Sequence, residues 1–119
     1  MATKRRKPPL EIPIHIGNRT FIAKEIRDGS MCDDLGEVIF TLGKINIAPN
    51  QTEDCLADTL LHEVIHAVDF IFGATGTYLT EEQVVRLTGG LLAVFHDPRN
   101  KAFMEYILLA LQERKRRKE

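Results

Sequence analysis

The sequence predicts an α+β domain, a small, mostly antiparallel N-terminal sheet followed by three helices. Two changes along the chain predict it. Up to Ala48 the apolar residues recur with period 2, the repeat of a half-buried strand. After Pro49 they recur every three or four residues, the repeat of an amphipathic helix. Strands first and helices afterwards is the order of an α+β fold. The 119 residues suit one compact domain. Its expected limits are residues 10–113, between a disordered basic leader (1–9) and a basic C-terminal tail (114–119).

The elements follow in order. Leu10, Ile12, Ile14 and Ile16 alternate with Glu11, Pro13 and His15, and Pro13, which has no backbone N–H to donate, points to an edge strand. Gly17-Asn18-Arg19 has turn chemistry, so TFIAKEIRD reads as the hairpin partner. Asp28 to Asp34 is a polar loop, and EVIFT and KINIA form two short strands around Leu42-Gly43. KINIAP, just before the first helix, is expected at an edge where an extended peptide could add.

Asn50-Gln51-Thr52-Glu53 has the form of a helix start, with Asn50 or Thr52 as cap and Gly73 as the stop after Phe72. Thr80 caps a second helix, from Glu81 to about Phe95, which His96-Asp97-Pro98 terminates. A third, from Lys101 to about Arg114, gathers Phe103, Tyr106, Ile107 and Ala110 on one face and is expected to close the core.

The net charge of −1 hides an asymmetry. Residues 1–7 contain four basic side chains and residues 114–118 are all Arg or Lys, whereas residues 8–113 hold 16 acids against 7 bases. Basic ends can meet nucleic acid, but no aromatic residue interleaves them, so the expectation is a pair of solvated ends. No apolar run is long enough to cross a bilayer, and no apolar segment follows the basic start as in a secretory signal, so a cytoplasmic protein is expected. Cys32 and Cys55 are too few and too far apart for a disulfide framework and read as reduced thiols.

The chemistry concentrates in LLHEVIHAVDF. On a helix His62 and His66, at i and i+4, share one face with their Cβ atoms about 5–6 Å apart, close enough for both imidazoles to reach one zinc ion. Glu63 lies about 100° further round, which sets its carboxylate beside a metal-activated water, in the place of a general base. Two core histidines alone would not explain a charged glutamate between them on so apolar a segment.

A catalytic zinc takes a third protein ligand. Position 72, the place of a third ligand on the same segment in metzincins, is Phe72, so the ligand must come from elsewhere; gluzincins take a glutamate from the next helix. LTEEQVV offers Glu81 and Glu82. The apolar stripe Val84, Leu87, Thr88, Leu91, Leu92 and Phe95 lies about 50° from Glu81 and about 150° from Glu82. Glu81 is therefore the expected ligand and Glu82 the alternative. Asp69, also on the metal face, either orients a ligand histidine or is an ordinary exposed or capping acid. Tyr78, in the loop Gly73–Leu79, is a candidate for stabilising an oxyanion, and His96 reads first as a helix C-terminal cation.

With these residues in place, the run TLLHEVIHAVDF…LTEEQVVRLTGGL resembles the small metallopeptidase-like proteins encoded in bacteriophages and prophages, and more distantly the ImmA/IrrE peptidase group. The resemblance spans roughly residues 36–97, from GEVIFTLGKINIAP onward, with Glu81 and Val84 matching the glutamate helix. ImmA/IrrE members usually carry Ala and then Asn where this chain has Val84 and Val85. The resemblance implies a minimal gluzincin (zincin-like) architecture and a zinc-dependent endopeptidase acting on a protein or peptide in the cytoplasm of a bacterial host. The competing expectations are a non-catalytic zinc protein of binding or regulatory type, and a DNA-associated regulator working through the basic ends.

Overall fold

The structure, a computed structural model, describes residues 8–31, 33–73 and 77–118. The expected leader falls outside them except for Pro8 and Pro9, and Cys32 and the middle of the Gly73–Leu79 loop fall outside them too. The elements run β1 (Glu11–Ile16), β2 (Arg19–Glu25), β3 (Gly36–Ile39), β4 (Lys44–Ile47), α1 (Glu53–Phe72), α2 (Glu81–His96) and α3 (Lys101–Lys118), with short 3-10 turns at Phe40–Leu42 and Pro98–Asn100. The fold is α+β as the sequence predicts. The chain forms two compact units, Met1–Thr88 and Gly89–Glu119.

In the first unit the strands order as β1-β2-β4-β3. β1 and β2 form an antiparallel hairpin in which Ile16 faces Arg19. Gly17 takes the first central position with φ +61°, the conformation a two-residue type II′ turn asks for and an L side chain resists. β1 is an edge strand, where Pro13 removes no hydrogen bond from a sheet interior.

Two expectations need correcting. The sheet is mixed, because β2 and β4 pair in parallel while β3 and β4 pair antiparallel. KINI is not an edge: β4 lies between β2 and β3, and among the described residues the edge strand on that side, packed on α1, is β3. The burial of Ile45 and Ile47, both fully covered, fits a central strand; alternation alone does not distinguish centre from edge.

Alternation puts Phe21 and Ala23 of β2 and Ile45 and Ile47 of β4 on one face, where they form the core with Ile16 and Ala67. Leu56, Leu60, Val64 and Ile71 pack against that core, spaced as one stripe of α1. Thr52 caps α1 by accepting the Cys55 N–H, while Asn50 supplies a left-handed turn before it at φ 64°. Gln51, between them, ties the helix to the sheet. Its amide donates to the Leu35 and Ala48 carbonyls (3.1 and 2.9 Å), and its oxygen accepts from Thr59 Oγ1 (2.7 Å) and Cys55 Sγ (3.1 Å).

Thr80 and Gln83 form a reciprocal capping box at the start of α2: Gln83 N–H donates to Thr80 Oγ1 and Thr80 N–H donates to Gln83 Oε1. Val84 and Thr88 are buried, but Leu87 is not, so the buried part of the α2 stripe is shorter than its pattern suggests.

In the second unit, Asp97 caps the Pro98–Asn100 turn, and Asn100 Nδ2 donates to the Val94 carbonyl. α3 is longer than expected, and residues 114–118 belong to it. Phe103, Tyr106 and Ile107 are exposed, as are Leu108, Leu109 and Leu111. A periodic stripe reports that a face is apolar and says nothing of what covers it.

Candidate functional site

The site is built on the middle of α1. Thr59, Glu63 and Ala67, at i, i+4 and i+8, form the row that faces the sheet and are all buried. His62 and His66 lie on the adjacent row, half-buried, with ring centroids 4.9 Å apart and planes at 68°. Both present Nε2 to the same carboxylate. Glu81, in the first turn of α2, sets Oε1 2.5 Å from His62 Nε2 and Oε2 2.9 Å from His66 Nε2. One ligand atom from each of the three residues falls within 4.8 Å of the others, and this is the single such group among the described residues.

Glu82, one residue on, points away and pairs with Arg86 at 2.9 Å, both side chains about three-quarters exposed. The helix-face argument thus separates the two acids as the structure does, though Glu81 stays 68 % exposed. Its carboxylate sits on a first-turn side chain of α2. Two imidazoles and one carboxylate are a donor set that zinc accepts while leaving a fourth position open. The oxygens lie somewhat nearer the ring nitrogens than two ligands of one tetrahedral zinc, roughly 3.4 Å apart, would be.

Glu63 sits beside this group and not within it. Burial against β3 pushes its carboxyl above the ordinary carboxylate range; His62 and His66 draw it back, and Glu81 and Glu37 push it further up. Gly36 opens the space it needs. A Cβ at Gly36 would lie 2.7 Å from Thr59 Cγ2 and 3.1 Å from Glu63 Cγ, so only glycine lets β3 pass this closely over the helix. Sequence reading missed this residue, although a glycine opening a strand was the available signal. It missed Gln51 as well, whose amide looks like ordinary helix-start chemistry.

The two supporting candidates lie nearby. Asp69 does not reach a ligand histidine; its Oδ2 accepts the Leu79 N–H at 2.9 Å, pinning the end of the loop that delivers Thr80 and Glu81. Tyr78 is 55 % exposed and stacks on Phe70, centroids 6.5 Å apart. With Phe40, His66, Asp69, Phe70 and Leu79 it lines a recess of about 360 Å³. Phe40 and Phe70 stack at 4.4 Å, and Arg19 lies over Phe70 while donating to the Phe40 carbonyl, which fixes the floor of the recess.

Of the other histidines, His15 pairs with Thr20 Oγ1 at 3.0 Å across the hairpin, and His96 ends α2, exposed. Cys55 is a free, half-buried thiol on α1. No helix among the described residues is long and apolar enough to cross a membrane. No protein-family model, curated protein or solved structure matches the chain.

Proposed function

We propose that the chain is a zinc-dependent peptidase of the gluzincin type, as its resemblance to phage-encoded and ImmA/IrrE metallopeptidases implies. The observation that carries this reading is the meeting of His62, His66 and Glu81 from two helices, with the buried carboxylate of Glu63 alongside and outside the ligand set. The zinc would be held by His62, His66 and Glu81, and supplies a Lewis acid that acidifies water and polarises a carbonyl.

The chain's own groups do the rest. Glu63, raised in pKa and fixed against Gly36, accepts a proton from the attacking water and returns it to the leaving amine. Asp69 holds the loop that presents Glu81. Among the described residues no strand pairs with the outer side of β3, so an extended peptide can add there, next to Glu63. The recess beside His66 offers mostly apolar walls to a side chain flanking the scissile bond. Tyr78, which lines the same recess, is the candidate donor to the developing oxyanion. A cytoplasmic location in a bacterial host belongs to this reading.

The test is Glu63→Gln on zinc-loaded protein, with unfolded casein as substrate. Cleavage should fall by about 10²–10⁴-fold with zinc content unchanged. A wild type that holds zinc and cleaves nothing would favour a binding or regulatory role instead. The exposed basic turn at Arg114–Arg117 keeps nucleic acid as the alternative partner, for which retention on DNA should weaken steeply with salt.

A further inference from the structure

Helix α1 runs alongside β3. Gly36, which opens the strand, lies against Thr59 and Glu63, and Phe40, the residue after the strand, stacks on Phe70 at 4.4 Å. From Gly36 to Phe40 a strand rises about 13 Å, and from between Thr59 and Glu63 to Phe70 a helix rises about the same. The two elements therefore keep step, with the proposed base at one end and a pair of aromatic rings at the other.

Those rings wall the recess beside His66. Phe40 and Phe70 meet at an interplanar angle of 16°, and so do Phe70 and Tyr78. The Arg19 guanidinium lies between Phe21 and Phe70, 5.3 and 5.7 Å from their centroids, and steadies the Phe70 ring. Leu79, His66 and the Asp69 carboxylate complete the lining, and all of these residues belong to the Met1–Thr88 unit. Three nearly parallel rings offer stacking partners to a fourth, whereas Asp69 opposes an acidic side chain. The volume of about 360 Å³ holds roughly a dozen waters at ~30 Å³ each, enough for one large side chain.

We infer, on the basis of the peptidase activity proposed above, that the chain cleaves beside an aromatic residue. That residue stands one or two positions from the scissile bond and on one side of it only. The recess is lined by α1 from His66 to Phe70, so its centre lies about 6 Å along the helix from the middle of the His62–His66 pair. In an extended peptide that is about two residues. Water adds across the C–N bond to leave a carboxylate and an amine, and the recess selects which bond is presented.

The experiment is digestion of unfolded casein, and of a synthetic peptide pool randomised at every position, by the zinc-loaded full chain. Mass spectrometry reads the new termini. At one position within about two residues of the cut, Phe and Tyr should be favoured over Ala about ten- to hundredfold. They should be favoured over Leu about two- to tenfold. Phe70→Ala should lower the Phe-to-Ala ratio there at least about fivefold, whatever the overall rate. General damage to fold or catalysis lowers both rates alike and leaves the ratio in place. Cleavage without the preference, or with it on both sides of the cut, would overturn the inference and leave the peptidase activity standing. Should Phe70→Ala not fold, Tyr78→Ala, at an exposed residue, is read by the same ratio. A wild type that holds zinc and cleaves nothing removes the peptidase activity, and the recess is then tested directly by NMR titration with N-acetylphenylalaninamide. Shifts of the Phe40, Phe70 and Tyr78 ring signals that N-acetylalaninamide does not produce support aromatic recognition, and their absence refutes it.

Discussion

Gly36 on the edge strand passes so close to Glu63 on α1 that a single added methyl group would stand 3.1 Å from the Glu63 Cγ. The carboxylate proposed as general base is thus positioned by the absence of a side chain on the facing strand. Gly36→Ala should move Glu63 or lift β3, and an ångström of displacement can cost about 10²-fold in rate. The expected outcome is a fall in kcat of about tenfold to hundredfold with zinc stoichiometry unchanged. Unchanged kcat would show that the close approach does not position the base.

The ligand set predicts about one zinc per chain. His62→Ala or His66→Ala should lose it, and Glu81→Gln should weaken affinity at least about tenfold more than Glu82→Gln. Competition with a chromogenic chelator measures this. Equal effects of the two glutamate variants would contradict the convergence of Glu81 on the histidines.

The raised Glu63 pKa makes a prediction for the metal-free protein. The folded state holds this proton more tightly than the unfolded chain does. Its contribution to stability is therefore complete below the ordinary carboxylate pKa and is lost as pH rises through the raised value. With a chelator present, wild type should lose melting temperature relative to Glu63→Gln across that interval. A gap between the two that stays constant with pH would show that burial does not disfavour the charged form.

Gln51 donates to the Leu35 and Ala48 carbonyls, which flank β3 and β4, while accepting from the Thr59 hydroxyl. Gln51→Ala removes the part-buried bonds of the Ala48 carbonyl and the Thr59 hydroxyl, while the Leu35 carbonyl keeps the Ala48 N–H, and should destabilise the protein by about 1–3 kcal/mol in urea unfolding. A loss under 0.5 kcal/mol, roughly the scatter of surface substitutions, would mean water replaces the amide without cost.

Tyr78 can act as a wall or as a donor. Tyr78→Phe keeps the ring stacked on Phe70 and deletes only the hydroxyl. If the hydroxyl stabilises the oxyanion, kcat should drop by about 10²-fold with little change in KM. An unaltered kcat would leave Tyr78 as lining alone.

The sequence by itself determined what local periodicity and spacing can carry. The strand and helix repeats gave the α+β order, Thr80 announced its cap, and His62, Glu63 and His66 shared a helix because i and i+4 residues share a face in any helix. The angle between Glu81 and the apolar stripe even chose the acid that meets them. The tertiary structure decided everything that depends on which segments become neighbours. The parallel pairing of β2 with β4, and hence the edge position of β3, comes from long-range contacts that alternation does not encode. Asp69 accepts the Leu79 N–H, a partner that only the path of the chain after α1 brings to it. Gly36 and Gln51 matter only because β3 crosses α1, a contact between residues far apart in sequence. For α3 the repeat marked an apolar face, and a repeat reports polarity without naming neighbours.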